Sequence, residues 1–75
     1  MRFTLKQLQA FVAAAQDSNV SSAAKALSLS QSAVSAAIAE LESQFGRPLF
    51  DRIGKRLQLN ETGKQLLPKA INLLT

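Results

Sequence analysis

Hydrophobic and polar positions follow a helical period over most of the chain, and the places where that period breaks divide it into elements. Leu5, Leu8, Phe11, Val12 and Ala15 recur at helical spacing and predict a first helix. Thr4 and Gln7 form a T-x-x-Q capping box at its start, and Phe3 and Leu8 occupy the two positions of a hydrophobic staple. This helix is expected to fade near Asp17–Ser18. Asn19 is suited to cap a second, short helix through about Leu27, with Val20, Ala23, Ala24 and Leu27 as its buried stripe. The small side chains of the alanine pair let two helices approach closely. Ser28–Ser30 reads as a turn, with Leu29 plugging the core beneath it and Ser30 capping a third helix. Val34, Ile38, Leu41 and Phe45 lie at i, i+4, i+7 and i+11 along that third helix, flanked by Ala33 and Ala37. Gly46 supplies a left-handed stop near Phe45, and Pro48 prevents resumption.

Residues 49–59, LFDRIGKRLQL, change character. Leu49, Phe50, Ile53, Leu57 and Leu59 surround a Gly-Lys pair, which fits two short strands joined by a turn at Ile53–Lys55. In this hairpin the apolar residues anchor, while Arg52, Lys55 and Arg56 project. Asn60 or Thr62 can cap a fourth helix whose apolar stripe is Leu66, Leu67, Ala70, Ile71 and Leu74. Pro68 lies inside it, so a kink is expected, or a helix regular only beyond that point. Two readings of the wide stripe stay open: packing against the first helix, or a partner surface. The pattern as a whole is a mainly α domain of three core helices, a two-stranded hairpin and a C-terminal helix, with a helix-turn-helix at Ser18–Phe45.

Composition narrows the function. Seventy-five residues make one small domain. There is neither cysteine nor histidine, so no disulfide, no thiolate-metal site and no imidazole base is available, and no metal or cofactor is expected. The five carboxylates, Asp17, Glu40, Glu42, Asp51 and Glu61, show no acid/base spacing, and an enzyme is not expected. The formal charge of +4 lies wholly in residues 46–75, which hold Arg47, Arg52, Lys55, Arg56, Lys64 and Lys69, whereas residues 1–45 are neutral. A basic cluster of this kind suits phosphate contact, or serves solubility alone. No apolar run approaches the roughly 20 residues that a bilayer-spanning helix needs. The start, MRFTLKQLQ, lacks the apolar core of a secretory signal, so a cytoplasmic chain is expected.

The candidate chemistry lies outside the apolar seam of the third helix, on Gln31, Ser32, Ser35, Ala36, Ala39, Glu42 and Ser43. The first four fall in its opening turns, where side chains reach base edges while the helix N-terminus faces phosphate. Gln31 can pair bidentately with adenine, Ser32 and Ser35 can bond any base or phosphate, and Ala36 can touch a thymine methyl. Ser30 is first a cap and is grouped with the phosphate-facing residues. Arg52 is expected at phosphate, with Asp51 or Glu61 as its alternative partners. Lys55 and Arg56 flank the hairpin tip and suit a minor groove. Lys25 is expected to be solvated. Glu40 and Glu42 should point away from DNA or toward basic neighbours.

These residues resemble the LysR-type bacterial transcriptional regulators. LKQLQAFVAAAQ looks like the family's first helix, and AAKALSLSQSAVSAAIAELESQFGRPLF is similar to its A-A-x-x-L…S-Q-x-A-[VL]-S-x-x-I-x-x-L-E-x-x-[LF]-G-x-x-L-F pattern. Arg52 completes L-F-x-R, and LNETGKQLL looks like the L-T-x-x-G segment that opens the linker helix. The resemblance implies a winged helix-turn-helix over residues 1–59, followed at 60–75 by the start of a linker and dimerisation helix. It implies major-groove positions at Gln31, Ser32, Ser35 and Ala36, Arg52 at the DNA backbone, and an antiparallel homodimer through Leu67, Ile71 and Leu74 on an inverted repeat. Full-length members continue into a domain that binds a small-molecule inducer, and the chain is expected to stop before it. Members often carry proline at the position of Ser32, and arginine or glutamine at Ala36 and Ala37. The alanines remove long donors, which places specificity on Gln31, the serines and DNA shape. Two rival classes are a winged-helix protein-interaction module, which calls for an acidic or apolar face on the third helix, and a membrane-surface peptide, which calls for a basic amphipathic helix.

Overall fold

The computed structural model describes residues 3–54 and 56–74, and the chain runs α1 (Leu5–Asp17), α2 (Val20–Leu27), α3 (Gln31–Phe45), β1 (Phe50–Ile53), β2 (Arg56–Leu59) and α4 (Glu61–Leu74). This is a winged helix-turn-helix with a fourth helix appended. Each of the first three helices starts where a short polar side chain satisfies an otherwise unpaired N–H. The Thr4 hydroxyl accepts from Gln7 N–H at 3.1 Å, while the Gln7 side chain accepts from Thr4 N–H, completing the capping box. Asn19 accepts from Ser22 N–H at 2.7 Å, and Ser30 from Ala33 N–H at 3.1 Å. Each ends on a left-handed residue: Ser18 (φ 60°), Ser28 (φ 57°) and Gly46 (φ 80°). Serine pays a steric penalty there that glycine does not, and the helix-turn-helix accepts it at both of its corners.

The core gathers on α1, which packs against α2, α3 and α4. Phe11 is fully buried, and its ring meets Phe50 edge-on at 5.5 Å, a contact worth about 1 kcal/mol beyond area burial. Ala10, Ala14, Ala23 and Ala24 line the joint beneath the helix-turn-helix, where larger side chains would hold the helices apart. Leu29 is only half-buried and packs at the margin of this core rather than plugging it.

The antiparallel wing pairs Phe50 with Leu59, Arg52 with Leu57, and Ile53 with Arg56. Ile53 thus belongs to β1 and not to the turn, which carries Gly54 in the left-handed region at φ 61°. Nor does Ile53 anchor the wing, since it is 59% exposed. Successive strand residues point to opposite faces, so Phe50 and Ile53, three apart, cannot both face the core. Lys55 lies outside the described residues.

Asn60, not Thr62, caps α4, accepting from Gly63 N–H at 2.8 Å. The helix runs unbroken from Glu61 through Pro68, contrary to an expectation of regular helix only beyond the proline. Pro68 and Lys64 are both exposed, so the Lys64 carbonyl that loses its helical donor can turn to water. The apolar stripe divides. Leu66 and Ala70 are buried, Leu67 and Leu74 are half-buried against the core, and Ile71 is exposed.

Candidate nucleic-acid interface

The start of α3 is built to be open. Ser30 lies in extended backbone (φ −74°, ψ 157°), and the first turn carries no acidic residue. Gln31, Ser32 and Ala36 are exposed and Ser35 is half-buried, while Val34, Ala37, Ile38 and Leu41 turn to the core. The four candidates fall into two rows. Gln31 and Ser35, at i and i+4, line a cleft of about 470 Å³ together with Asn19, Val20 and Ser21 of the α2 start and Arg52, Gly54, Arg56 and Leu57 of the wing. Ser32 and Ala36 are outside that cleft. They begin an adjacent exposed strip that continues through Ala39 and Ser43, every member small and uncharged. A strip of this kind lets a helix lie deep in a groove without long side chains holding it off.

Strand parity sets Arg52. Arg52 shares the inward-facing side of the hairpin with Phe50, Leu57 and Leu59, but lies beyond the core's edge and stays exposed, so its guanidinium belongs to the cleft. Asp51 is on the opposite face of the strand. Glu61 instead approaches Lys64 at 4.0 Å, an exposed pair of little energetic weight. Among the described residues Arg52 has no ion pair, so neither alternative partner is taken. Arg56 also lines the cleft.

The acidic residues of α3 are held by hydrogen bonds to other parts of the fold. Glu40 accepts from Gln7 Nε2 at 3.1 Å, and Glu42 from Leu49 N–H at 2.7 Å. Gln7 is 4% exposed, and its Oε1 also accepts from Gln44 Nε2 at 3.5 Å, so a residue read from the sequence as a cap is in addition a bridge from α1 to α3. Both carboxylates thus point away from the exposed strip, although neither pairs with a basic side chain.

Sequence reasoning missed Asn19, Val20 and Ser21 as cleft residues. Their signal was present in the polar start of α2, but only the packing of α2 across α3 brings it beside Gln31. It also missed Leu73, which at 66% exposure leaves α4 more openly than Ile71 does. Of the proposed dimerisation residues, Leu67 and Leu74 give part of their surface to this chain's own core. Among the described residues no group of three His, Cys, Asp or Glu could hold a metal ion, and no helix is long and apolar enough to cross a membrane.

Comparison with known proteins agrees with this geometry. The chain is 50% identical over 74 residues to the uncharacterized HTH-type transcriptional regulator YeiE of Escherichia coli K12, covering 99% of this chain and 25% of that protein. It is 43% identical over 70 residues to the HTH-type transcriptional regulator GalR of Pseudomonas putida, covering 93% of this chain and 18% of that one. The chain therefore spans about a quarter or less of the length of these relatives. Among solved structures, the CbnR DNA-binding domain in complex with DNA superposes with a TM-score of 0.92 at 30% identity, covering 96% of this chain and 83% of that one. OxyR of Corynebacterium glutamicum, as its hydrogen-peroxide-bound C206S mutant, gives a TM-score of 0.95 at 36% identity over 99% of this chain and 23% of that one. The relatives are named as transcriptional regulators and not as enzymes. The sequence model for bacterial regulatory helix-turn-helix proteins of the lysR family matches residues 5–64, and the chain belongs to that family.

Proposed function

We propose that residues 1–59 are the sequence-specific, double-stranded DNA-binding domain of a LysR-type transcription regulator, and that residues 60–75 begin its linker and dimerisation helix. In this reading α3 enters the major groove. Gln31 pairs with adenine, Ser32 and Ser35 bond base edges or phosphate, and Ala36 meets a thymine methyl. Ser30 caps the helix with its oxygen lone pair and keeps its hydroxyl proton for a phosphate. Arg52 and Arg56, with Lys55, hold the flanking backbone. Two copies pair through the exposed part of α4 and read the halves of an inverted repeat. Recognition of an inducer belongs to other parts of such a regulator and not to these residues.

The observation that carries this reading is the cleft in which Gln31 and Ser35 of α3 face Arg52 and Arg56 of the wing, beside a strip of α3 free of charge and bulk. A base reader and a phosphate clamp on one concave face match the demands of duplex DNA. The structural relative solved with DNA supports it. The test is selection of bound duplexes from a random pool at fixed salt. An enriched inverted repeat is expected. Enrichment of a single half-site removes the dimer from the proposal, and a pool that stays flat removes specific recognition.

A further inference from the structure

The wing is held to the rest of the fold at several defined points. The strands pack on each other, and β2 also packs on α1 and on α4. Leu57 N–H donates to Ser18 O at 2.9 Å, which ties β2 to the end of α1. The start of β1 is tied to α4: Leu49 O accepts from Asn60 N–H at 3.1 Å, and Pro48 O accepts from Asn60 Nδ2 at 2.9 Å. From α3, the covalent link through residues 46–49 leads to the wing, and a side chain of the helix bonds the backbone just before β1. That side chain is Glu42, half-buried in the last turns of the helix, whose Oε2 accepts from Leu49 N–H at 2.7 Å.

We propose that Glu42 is a positioning residue that braces the wing against α3, so that Arg52 meets backbone phosphate in step with the groove contacts of Gln31. The inference rests on the DNA-binding reading above. Three features carry it. The bond has the length of a charge-assisted contact between a carboxylate and a backbone amide. Its donor, Leu49, is fully buried, and Asn60 holds the carbonyls of both Pro48 and Leu49, so the residue is bonded on both of its peptide groups. A carboxylate on a helix that enters DNA would also be repelled by phosphate if it pointed outward, and this one is turned inward and occupied. Glu42 itself touches no DNA in this scheme. It acts through Leu49, three residues ahead of Arg52.

The experiment compares wild-type chain, E42A, E42Q, R52A and the double variant E42A/R52A, using the duplex enriched from the random pool. Affinity is followed across a salt series, and the Leu49 amide resonance is followed by NMR. If Glu42 works through the wing, E42A lowers the slope of log affinity against log salt by about 0.9 per bound chain, the value for one phosphate contact in each, as R52A does. The double variant is then no weaker than R52A alone. E42Q, which keeps an acceptor oxygen, retains most of the slope. In E42A the Leu49 amide moves upfield and exchanges faster with solvent. Additive losses in the double variant, or an E42A slope equal to that of wild type, overturn the proposal. Should E42A fail to fold, E42Q is read instead: a shifted Leu49 amide with a partial loss of slope supports the brace, and an unmoved amide overturns it. If the wild-type chain favours no duplex, the DNA reading fails on its own, and the brace is judged by whether the Leu49 amide responds to E42A.

Discussion

At Gln31 two properties meet that rarely coincide on a small domain. The side chain is exposed at the head of a helix, and it faces a basic hairpin across a cleft. Its amide offers a donor and an acceptor in the spacing that adenine presents in the major groove, whereas phosphate has no use for that pairing. Gln31→Ala should therefore cost about 1–3 kcal/mol on the preferred duplex and little on random DNA, measured by titration of both at one salt concentration. An equal loss on both would remove its reading role. Arg52 makes the opposite case: Arg52→Ala should weaken binding to both duplexes and flatten the salt slope by about one unit per chain. Gly63 is constrained by packing alone. A Cβ there would collide with the Leu49 carbonyl oxygen and would lie 2.6 Å from Leu59 Cδ2. The Leu49 carbonyl is held by Asn60 and cannot yield, so α4 would have to move outward. Gly63→Ala should destabilise the fold by about 2 kcal/mol, even after the gain of about 1 kcal/mol in helix propensity, as read from urea denaturation.

At the scale of elements, α4 combines an unbroken helix with an internal proline. Pro68 removes the donor to Lys64 O on the exposed side and leaves the core-facing Leu66 and Ala70 undisturbed. Pro68→Ala restores that bond at a position without steric constraint, so it should stabilise the chain by about 1–3 kcal/mol, below or near the usual cost of a mid-helix proline. A rise in the urea midpoint without a change in its slope is the expected signature. The same helix shows what a sequence displays and what it withholds. Caps, stops and apolar stripes depend on residues within one or two turns, so Thr4–Gln7, Asn19, Ser30 and Gly46 were all legible along the chain. In the candidate site, the polar opening of α3 and the basic hairpin were legible for the same reason. What was hidden depends on distance or parity. Glu42 reaches Leu49, Gln7 reaches Glu40, and the start of α2 reaches Gln31 only once the helices have packed. Ile53 looked like an anchor because it is apolar, but the period of two in β1 turns it outward. The proline suggested a late start to the helix, but Pro68 lies off the apolar stripe, and the helix begins at Glu61.

Over the whole molecule, the separation of charge and the exposed apolar end of α4 act on one measurable quantity. The net +4 lies in residues 46–75, and within that segment Arg52 and Arg56 fall on the wing, with Lys55 between them in sequence. If each neutralises one phosphate, a single chain should show a slope of log affinity against log salt of roughly −2.7, at about 0.9 per contact. A dimer on two half-sites should show roughly twice that, a loss of about a thousandfold in affinity between 50 and 200 mM salt. The slope therefore reports oligomeric state on DNA independently of any hydrodynamic measurement. Leu73 is the apolar residue of α4 that gives least to its own core, at 66% exposure. Leu73→Asp should leave the fold intact, since burial there contributes little, but should place a charge in the apolar surface where two copies of α4 would meet. The expected outcome is a slope that falls from roughly −5.4 to roughly −2.7 on the full inverted repeat and is unchanged on an isolated half-site. A wild-type slope of roughly −2.7 on both duplexes would mean that the chain binds as a monomer, and a Leu73→Asp slope equal to wild type on the full repeat would mean that pairing does not pass through this end of α4.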